Sequence, residues 1–166
     1  MESRRDILQI RQLTKSDQSW VGSFIESRWG SRRVVTRGNL LYPEKLDGFV
    51  VVEKNKRVGL LTYRILDGEC EVVTLDSLVE GQGVGSSLLN AARDLAVSNR
   101  CRRLWLITTN DNLHALGFYQ KWGLQIAALH RNALEESRKL KPEIPMIGKN
   151  GIPLRDEIEL EILLTP

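Results

Sequence analysis

The chain predicts an α+β fold on a mixed, mostly antiparallel sheet, and three observations carry that expectation. Apolar segments from Gly48 to Val79 are broken only by two short polar turns, the pattern of an antiparallel meander. A strand-like run, a glycine-rich turn and an amphipathic helix then lead to the short apolar run Leu104–Ile107, the pattern of a βαβ unit with a parallel strand pair. Near the end, Ile158, Leu160, Ile162 and Leu164 alternate with Glu159, Glu161 and Leu163, giving one apolar and one largely acidic face.

Taken in order, Ile7 to Leu13 reads as a strand. Ser16 or Asp17 can cap a helix running to Trp29, with Trp20, Phe24 and Ile25 on its apolar side and Gly30 ending it. An Arg-rich connection follows. Gly48 to Glu53, the turn Lys54-Asn55-Lys56 and Val58 to Leu66 form a hairpin, and Asp67-Gly68 turns into a third strand, Glu69 to Val79. Leu88, Leu89, Ala92, Leu95 and Ala96 recur at helical spacing, so one side of this helix packs on the sheet. Leu104–Ile107 is unbroken apolar, as expected of a strand covered on both faces. A helix from about Asn112 to Trp122 stops at Gly123, and Leu124 to Leu129 begins another strand. Ala133 to Leu140 is a basic, helix-like piece. The connection from Lys141 to Pro153 holds three prolines and two glycines; it reads either as a functional loop or as a decorative hairpin.

With 166 residues and 42% hydrophobic content the chain can bury one substantial core, so a single domain over 1–166 is expected. The 24 basic and 21 acidic residues leave a net charge of only +3, too small to imply a nucleic-acid partner. Arg28, Arg32, Arg33 and Arg37 cluster, which fits either a solvated loop face or an electropositive rim for an anion. Cys70 and Cys101 lack metal-ligand spacing and are too few for a disulfide framework. Cys70 reads as a small buried hydrophobe, and His114 and His130 as structural. No apolar run approaches a membrane span and the start lacks a signal-peptide core, so a cytoplasmic protein with no membrane partner and no metal is expected.

The segment Leu75 to Leu89 carries Gly81, Gly83 and Gly85 between the strand and the helix. Glycines bring backbone close to a ligand, and a helix start offers unpaired N–H groups and partial positive charge to an anion. A tight strand-to-helix connector explains the same residues equally well. A nucleotide-hydrolysing P-loop is set aside, since no Gly-Lys-Ser/Thr follows.

Two motifs in this order and spacing resemble the GNAT acyltransferases. Glu80-Gly81-Gln82-Gly83-Val84-Gly85 is similar to that family's acyl-CoA signature, Arg/Gln-x-x-Gly-x-Gly/Ala. Asn112 to Leu124 resembles its second signature, Asn-x-x-Ala-x-x-(Phe/Leu)-Tyr-x-x-x-Gly-Phe. The resemblance covers about Ile7 to Leu129. It implies the GNAT fold: an α/β-type three-layer arrangement, a sheet of six to seven strands whose parallel pair is splayed at the acyl-CoA site, and about four helices. This chain departs from the pattern at Glu80, where Arg or Gln is usual, and at Ser77, where Pro is common. Glu80 is therefore expected to point away from the phosphates, which would rest on the amides of Gln82, Gly83, Val84, Gly85 and Ser86.

The resemblance further implies that Val73, Leu75 and Ser77 lie beside a strand opening that takes the pantetheine arm. The Leu75 N–H would face the thioester oxygen, where negative charge grows. Asn112 would contact the pantetheine arm; a helix N-cap is its other reading. Tyr119 would be the general acid toward the leaving thiolate. Full proton transfer from an unperturbed phenol to a thiolate is uphill by about 2 kcal/mol, which favours a strong hydrogen bond over early protonation. Glu69 is the expected general base, with Asp76 as runner-up. Glu71, on the same strand face as Glu69, and Trp29, at the head of the variable Trp29–Tyr42 segment, would border the acceptor. The implied activity is transfer of an acetyl or short acyl group from acetyl-CoA to a primary amine of a small molecule or peptide, by direct attack in a ternary complex. A non-catalytic acyl-CoA sensor is the alternative reading, and a homodimer is compatible with either. Glu136, Glu143, Glu157 and Glu159 suggest a cationic acceptor, while the arginines suggest the reverse.

Overall fold

The computed structural model describes residues 8–165. The first half comprises β1 (Gln9–Gln12), α1 (Gln18–Trp29), β2 (Val34–Thr36), β3 (Asn39–Leu41), β4 (Asp47–Glu53), β5 (Lys56–Leu66) and β6 (Glu69–Ser77). The second comprises α2 (Val84–Ser98), β7 (Arg103–Thr109), α3 (Leu113–Trp122), β8 (Gln125–His130), α4 (Ala133–Leu140) and β9 (Glu157–Leu163). Seven strands form one sheet in the order β1-β4-β5-β6-β7-β9-β8, and β2 pairs with β3 apart from it. Within the large sheet β6 and β7 are parallel and the other neighbours antiparallel. The expected first strand is observed as β1, with Ile7 lying outside the described residues.

Burial creates three layers. Leu88, Leu89, Ala92 and Ala96 of α2 are fully covered against Leu61, Cys70, Val72, Leu104, Leu106 and Leu160 of the sheet. On the opposite face Val21, Phe24 and Ile25 of α1 pack with Val34 and Leu60. Gly59 lets α2 sit this low, because a Cβ there would come within 2.5 Å of Val84 Cγ1. Cys70 sits in the larger core, where burial pushes its thiol up to about 12, so it is a packing residue. His130 makes a 3.0 Å contact with Glu159, the structural role expected of it.

Hairpin turns follow backbone chemistry. Lys54-Asn55 and Asp67-Gly68 adopt positive φ at both positions, as two-residue turns between twisted strands require. Arg37-Gly38 does the same, and it closes the β2–β3 hairpin inside the stretch expected to be a plain connection. Three residues per strand carry too little alternation to separate a hairpin from a loop.

Two departures in β6 position the site. Its parallel pairing with β7 runs only from Glu69↔Arg103 to Val72↔Leu106, after which the strands part. Its register with β5 also slips by one residue: Tyr63 faces Val72 while Thr62 faces Thr74, leaving Val73 as an extra residue. The bulge inverts the period-two pattern. Leu60, Thr62 and Arg64 of β5 share a face, and their partners are Asp76, Thr74 and Glu71. Asp76 therefore joins Glu71 on the α1 side, which simple alternation along β6 denies.

Candidate active site

The glycine turn delivers unpaired amides. Gly81 and Gly83 hold φ of 71° and 74°, and nothing lies within 4 Å of where a Cβ would project at either. Helix α2 starts at Val84, and the Ser87 N–H is bonded to Gly83 O at 2.9 Å. The amides of Val84, Gly85 and Ser86 thus precede the first intrahelical bond and are open to an anion. Gly85 serves packing: a Cβ there would meet the Phe118 ring at 2.9 Å, so its absence lets α3 close over the start of α2. Glu80 is exposed and has no ion pair among the described residues.

The parting of β6 from β7 leaves a second row of donors. The Leu78 N–H is bonded to Val58 O of β5 at 2.8 Å, and antiparallel alternation then turns the N–H groups of Ser77 and Leu75 away from β5, toward the opening. The Ser77 hydroxyl is spent locally, donating to Val79 O at 2.5 Å and accepting from Val79 N at 3.3 Å. It shapes the turn where the family more often has proline.

Four chain segments meet at the opening. Tyr119 of α3 packs into the larger core beside Phe118, with ring centroids 5.7 Å apart. Burial, and next the charge of Asp76, push its phenol up, so it keeps its proton well into the alkaline range. Asp76 accepts a 3.1 Å hydrogen bond from Trp29 Nε1, and Arg28 Nε lies 3.8 Å from its other oxygen. Burial raises the Asp76 carboxyl, with the Trp29 bond and the charges of Arg28 and Lys149 opposing. Asn112 occupies the N-cap position of α3, yet its side chain does not cap; it donates to Thr108 Oγ1 at 3.3 Å and accepts from Lys149 Nζ at 3.2 Å.

Lys149 comes from the long connection after α4, which is tied down at several points. Asp111, 5% exposed, accepts the Lys149 N–H at 2.8 Å, Asn110 Nδ2 donates to Pro153 O at 2.8 Å, and Arg138 Nη2 donates to Leu154 O at 2.6 Å. Asp111 and Lys149 did not emerge from the sequence. Their contacts span dozens of residues, and no local pattern announces them.

Glu71 is 3% exposed, accepts from Thr36 Oγ1 at 3.1 Å and Arg64 Nε at 2.9 Å, and sits beneath the β2–β3 hairpin on the same side as Trp29 and Asp76. Burial raises its carboxyl against the pull of those two donors. Glu69 is not brought to the opening. It lies at the start of β6, six residues before Leu75 or roughly 20 Å along the strand, and is paired with Arg103 at 3.2 Å and Arg102 at 3.6 Å. The same Arg103 binds Glu159 and Glu161, both at 2.8 Å, so the acidic face of β9 is paired within the fold. The arginine cluster is also spent in part, Arg32 on Glu26 at 2.8 Å and Arg33 on Glu143 at 2.6 Å. No group of three or more His, Cys, Asp or Glu side chains among the described residues is arranged to hold a metal ion. No described helix is long and apolar enough to cross a membrane.

Known proteins share the sequence pattern and the fold of this chain. The sequence profile of the acetyltransferase (GNAT) family matches residues 9–124. The uncharacterized protein YxbD of Bacillus subtilis (strain 168) is 42% identical over 141 residues, which cover 84% of this chain and 89% of that protein. An IAA acetyltransferase from Bacillus cereus ATCC 14579 superposes with a TM-score of 0.71 at 20% identity, covering 95% of this chain and all of the other. A Bacillus subtilis acetyltransferase in complex with CoA superposes with a TM-score of 0.68 at 19% identity, covering 96% of this chain and all of the other. The chain belongs to the acetyltransferase (GNAT) family and is an acetyl-CoA-dependent N-acetyltransferase.

Proposed function

We propose that residues 1–166 act as a single domain that acetylates a primary amine of a small molecule or peptide, by direct attack within a ternary complex and with Asp76 as the base. The observation that carries this reading is the convergence on the β6–β7 opening of β6 amides turned away from β5, the core-packed Tyr119 and the carboxylate of Asp76. Acetyl-CoA supplies the activated acyl group. The amides of Gln82 to Ser86 suit its phosphates, and the N–H groups of Leu75 and Ser77, with Asn112, suit its amide-bearing arm.

The acceptor enters as an ammonium and needs its lone pair. Asp76, desolvated and thus more basic than an exposed carboxylate, takes the proton. The nitrogen then bonds to the thioester carbon, the Leu75 N–H meets the charge that grows on oxygen, and the carbon–sulfur bond breaks. Tyr119 hydrogen-bonds the departing thiolate, and the second proton of the attacking nitrogen, shed as the amide forms, passes by way of Tyr119 to sulfur to give the thiol. The products are the amide and CoA. Asp76 is favoured over Glu69 by position, since Glu69 is roughly a strand length away and engaged with Arg103. Glu71 and Trp29 border the acceptor from the α1 side.

Free thiol release, followed with acetyl-CoA and a panel of primary amines, tests this reading. Amine-dependent release with intersecting initial-rate lines is expected. Acetyl-CoA binding without release for any amine would favour the sensor reading and overturn this one.

A further inference from the structure

We infer that the acceptor is an amine carrying a carboxylate on the adjacent carbon, an α-amino acid, whose acid group is received by Arg28 and Lys149 while its amino group faces Asp76. This rests on the assignment of Asp76 as base.

The charge pattern around Asp76 is the basis. Arg28 lies at the C-terminal end of α1 and is the one arginine of its cluster with an ion contact to Asp76, Arg37 lying 3.6 Å from Glu157 instead. Arg32 and Arg33 hold glutamates at hydrogen-bond distance, 2.8 and 2.6 Å, whereas the Arg28 contact with Asp76 is 3.8 Å, longer than a hydrogen bond. Its side chain is 44% exposed beside an Asp76 that is 12% exposed, so the guanidinium stands at the mouth with donors to offer. Lys149 supplies a second cation. Its backbone is fixed by buried Asp111, and its ammonium rests on Asn112 Oδ1.

A lone base would accept any amine. A base flanked by two cations disfavours an acceptor bearing a second positive charge, because that charge would meet Arg28 and Lys149. A zwitterion satisfies both signs: its ammonium replaces Arg28 as the partner of Asp76, and its carboxylate takes the guanidinium. With Asp76 and Arg28 only 3.8 Å apart, an ammonium on one and a carboxylate on the other are close neighbours, as two groups on one carbon are. The reaction balances as above: one ammonium proton passes to Asp76, the N–C bond replaces the C–S bond, a second nitrogen proton reaches sulfur, and N-acetyl amino acid and CoA thiol leave.

The test pairs each amino acid with its decarboxylated amine: L-phenylalanine with phenethylamine, L-leucine with isoamylamine and L-methionine with 3-methylthiopropylamine. 1,4-Diaminobutane represents a dication. For the best pair kcat/KM is expected to favour the acid at least tenfold. Arg28→Gln should shrink that ratio by about tenfold, through KM, as loss of a charge-assisted hydrogen bond does, and Arg28→Lys should restore part of it. The acetyl-CoA Kd of each variant reports whether the fold is intact. Equal or better use of the decarboxylated amines or of the diamine, with Arg28→Gln leaving the ratio unmoved, would overturn this inference and keep the amine reading. No thiol release from any acceptor, with acetyl-CoA still bound, would overturn both.

Discussion

Replacing Asp76 by Asn tests the central assignment, because it deletes one proton acceptor and keeps the shape and an oxygen for Trp29 Nε1. An alkyl amine with a pKa of roughly 10.4 is neutral in about one molecule in 800 at pH 7.5. An enzyme without its base depends on that fraction, which caps the loss near 800-fold, about 4 kcal/mol. The usual contribution of a general base sets a floor of about 100-fold, about 2.7 kcal/mol. A kcat/KM loss in that interval is therefore expected for a simple alkyl amine. The deficit should shrink by about tenfold per pH unit as more amine arrives neutral. The wild-type rate should rise with pH through a group above the ordinary carboxylate range, since burial holds Asp76 there, and the variant should lack that step. Stability should not fall. A carboxylate raised in the folded state opposes folding once ionised, so removing it at neutral pH relieves the protein. The assay is steady-state thiol release from pH 5 to 10, with thermal melts and an acetyl-CoA Kd as controls. A loss under about threefold, or a deficit independent of pH, would refute the assignment, as would an equal loss in Glu69→Gln.

Other expectations follow from the same geometry. Tyr119→Phe should lower kcat about 10- to 100-fold with the acetyl-CoA Kd changed by less than threefold, and unchanged turnover in a stopped assay would remove the phenol from the mechanism. Gly83→Ala places a Cβ on backbone at φ 74° and should lower stability by about 1–2 kcal/mol, read by urea titration, since that conformation costs an L-residue about that much. Asp17 is fully buried between Arg11 and Arg57, and the Arg11 hydrogen bond holds its carboxyl well below the usual range. Asp17→Asn should cost about 2 kcal/mol at neutral pH. That difference is present above the unfolded value near 4 and should fade as pH drops below it, which urea titrations at pH 7 and pH 3 would show.

Much of the fold could be read from residues because local physics dictates it. The Gly48–Val79 meander is written in turn chemistry and period-two runs, and α2 in its buried Leu88, Leu89, Ala92 and Ala96. The hairpin at Arg37-Gly38 escaped because its strands are three residues long. Candidate site residues divide the same way. The glycine turn and Tyr119 sit in contiguous motifs whose spacing is visible. The proposed base does not, because simple alternation pairs Glu69 with Glu71 and sets Asp76 on the other face.

By itself, then, the sequence determined the element order apart from the β2–β3 hairpin, the acyl-CoA signature and the family, all of which depend on neighbours in the chain. Only the tertiary structure decided which carboxylate meets Tyr119. One bulge residue at Val73 turns Asp76 to the α1 side, the end of β6–β7 pairing at Val72 opens the strand beside it, and Trp29, Asn112 and Lys149 arrive from three distant segments. A register slip and long-range contacts leave no periodic trace in a sequence, since a single extra residue inverts every facing assignment downstream of it.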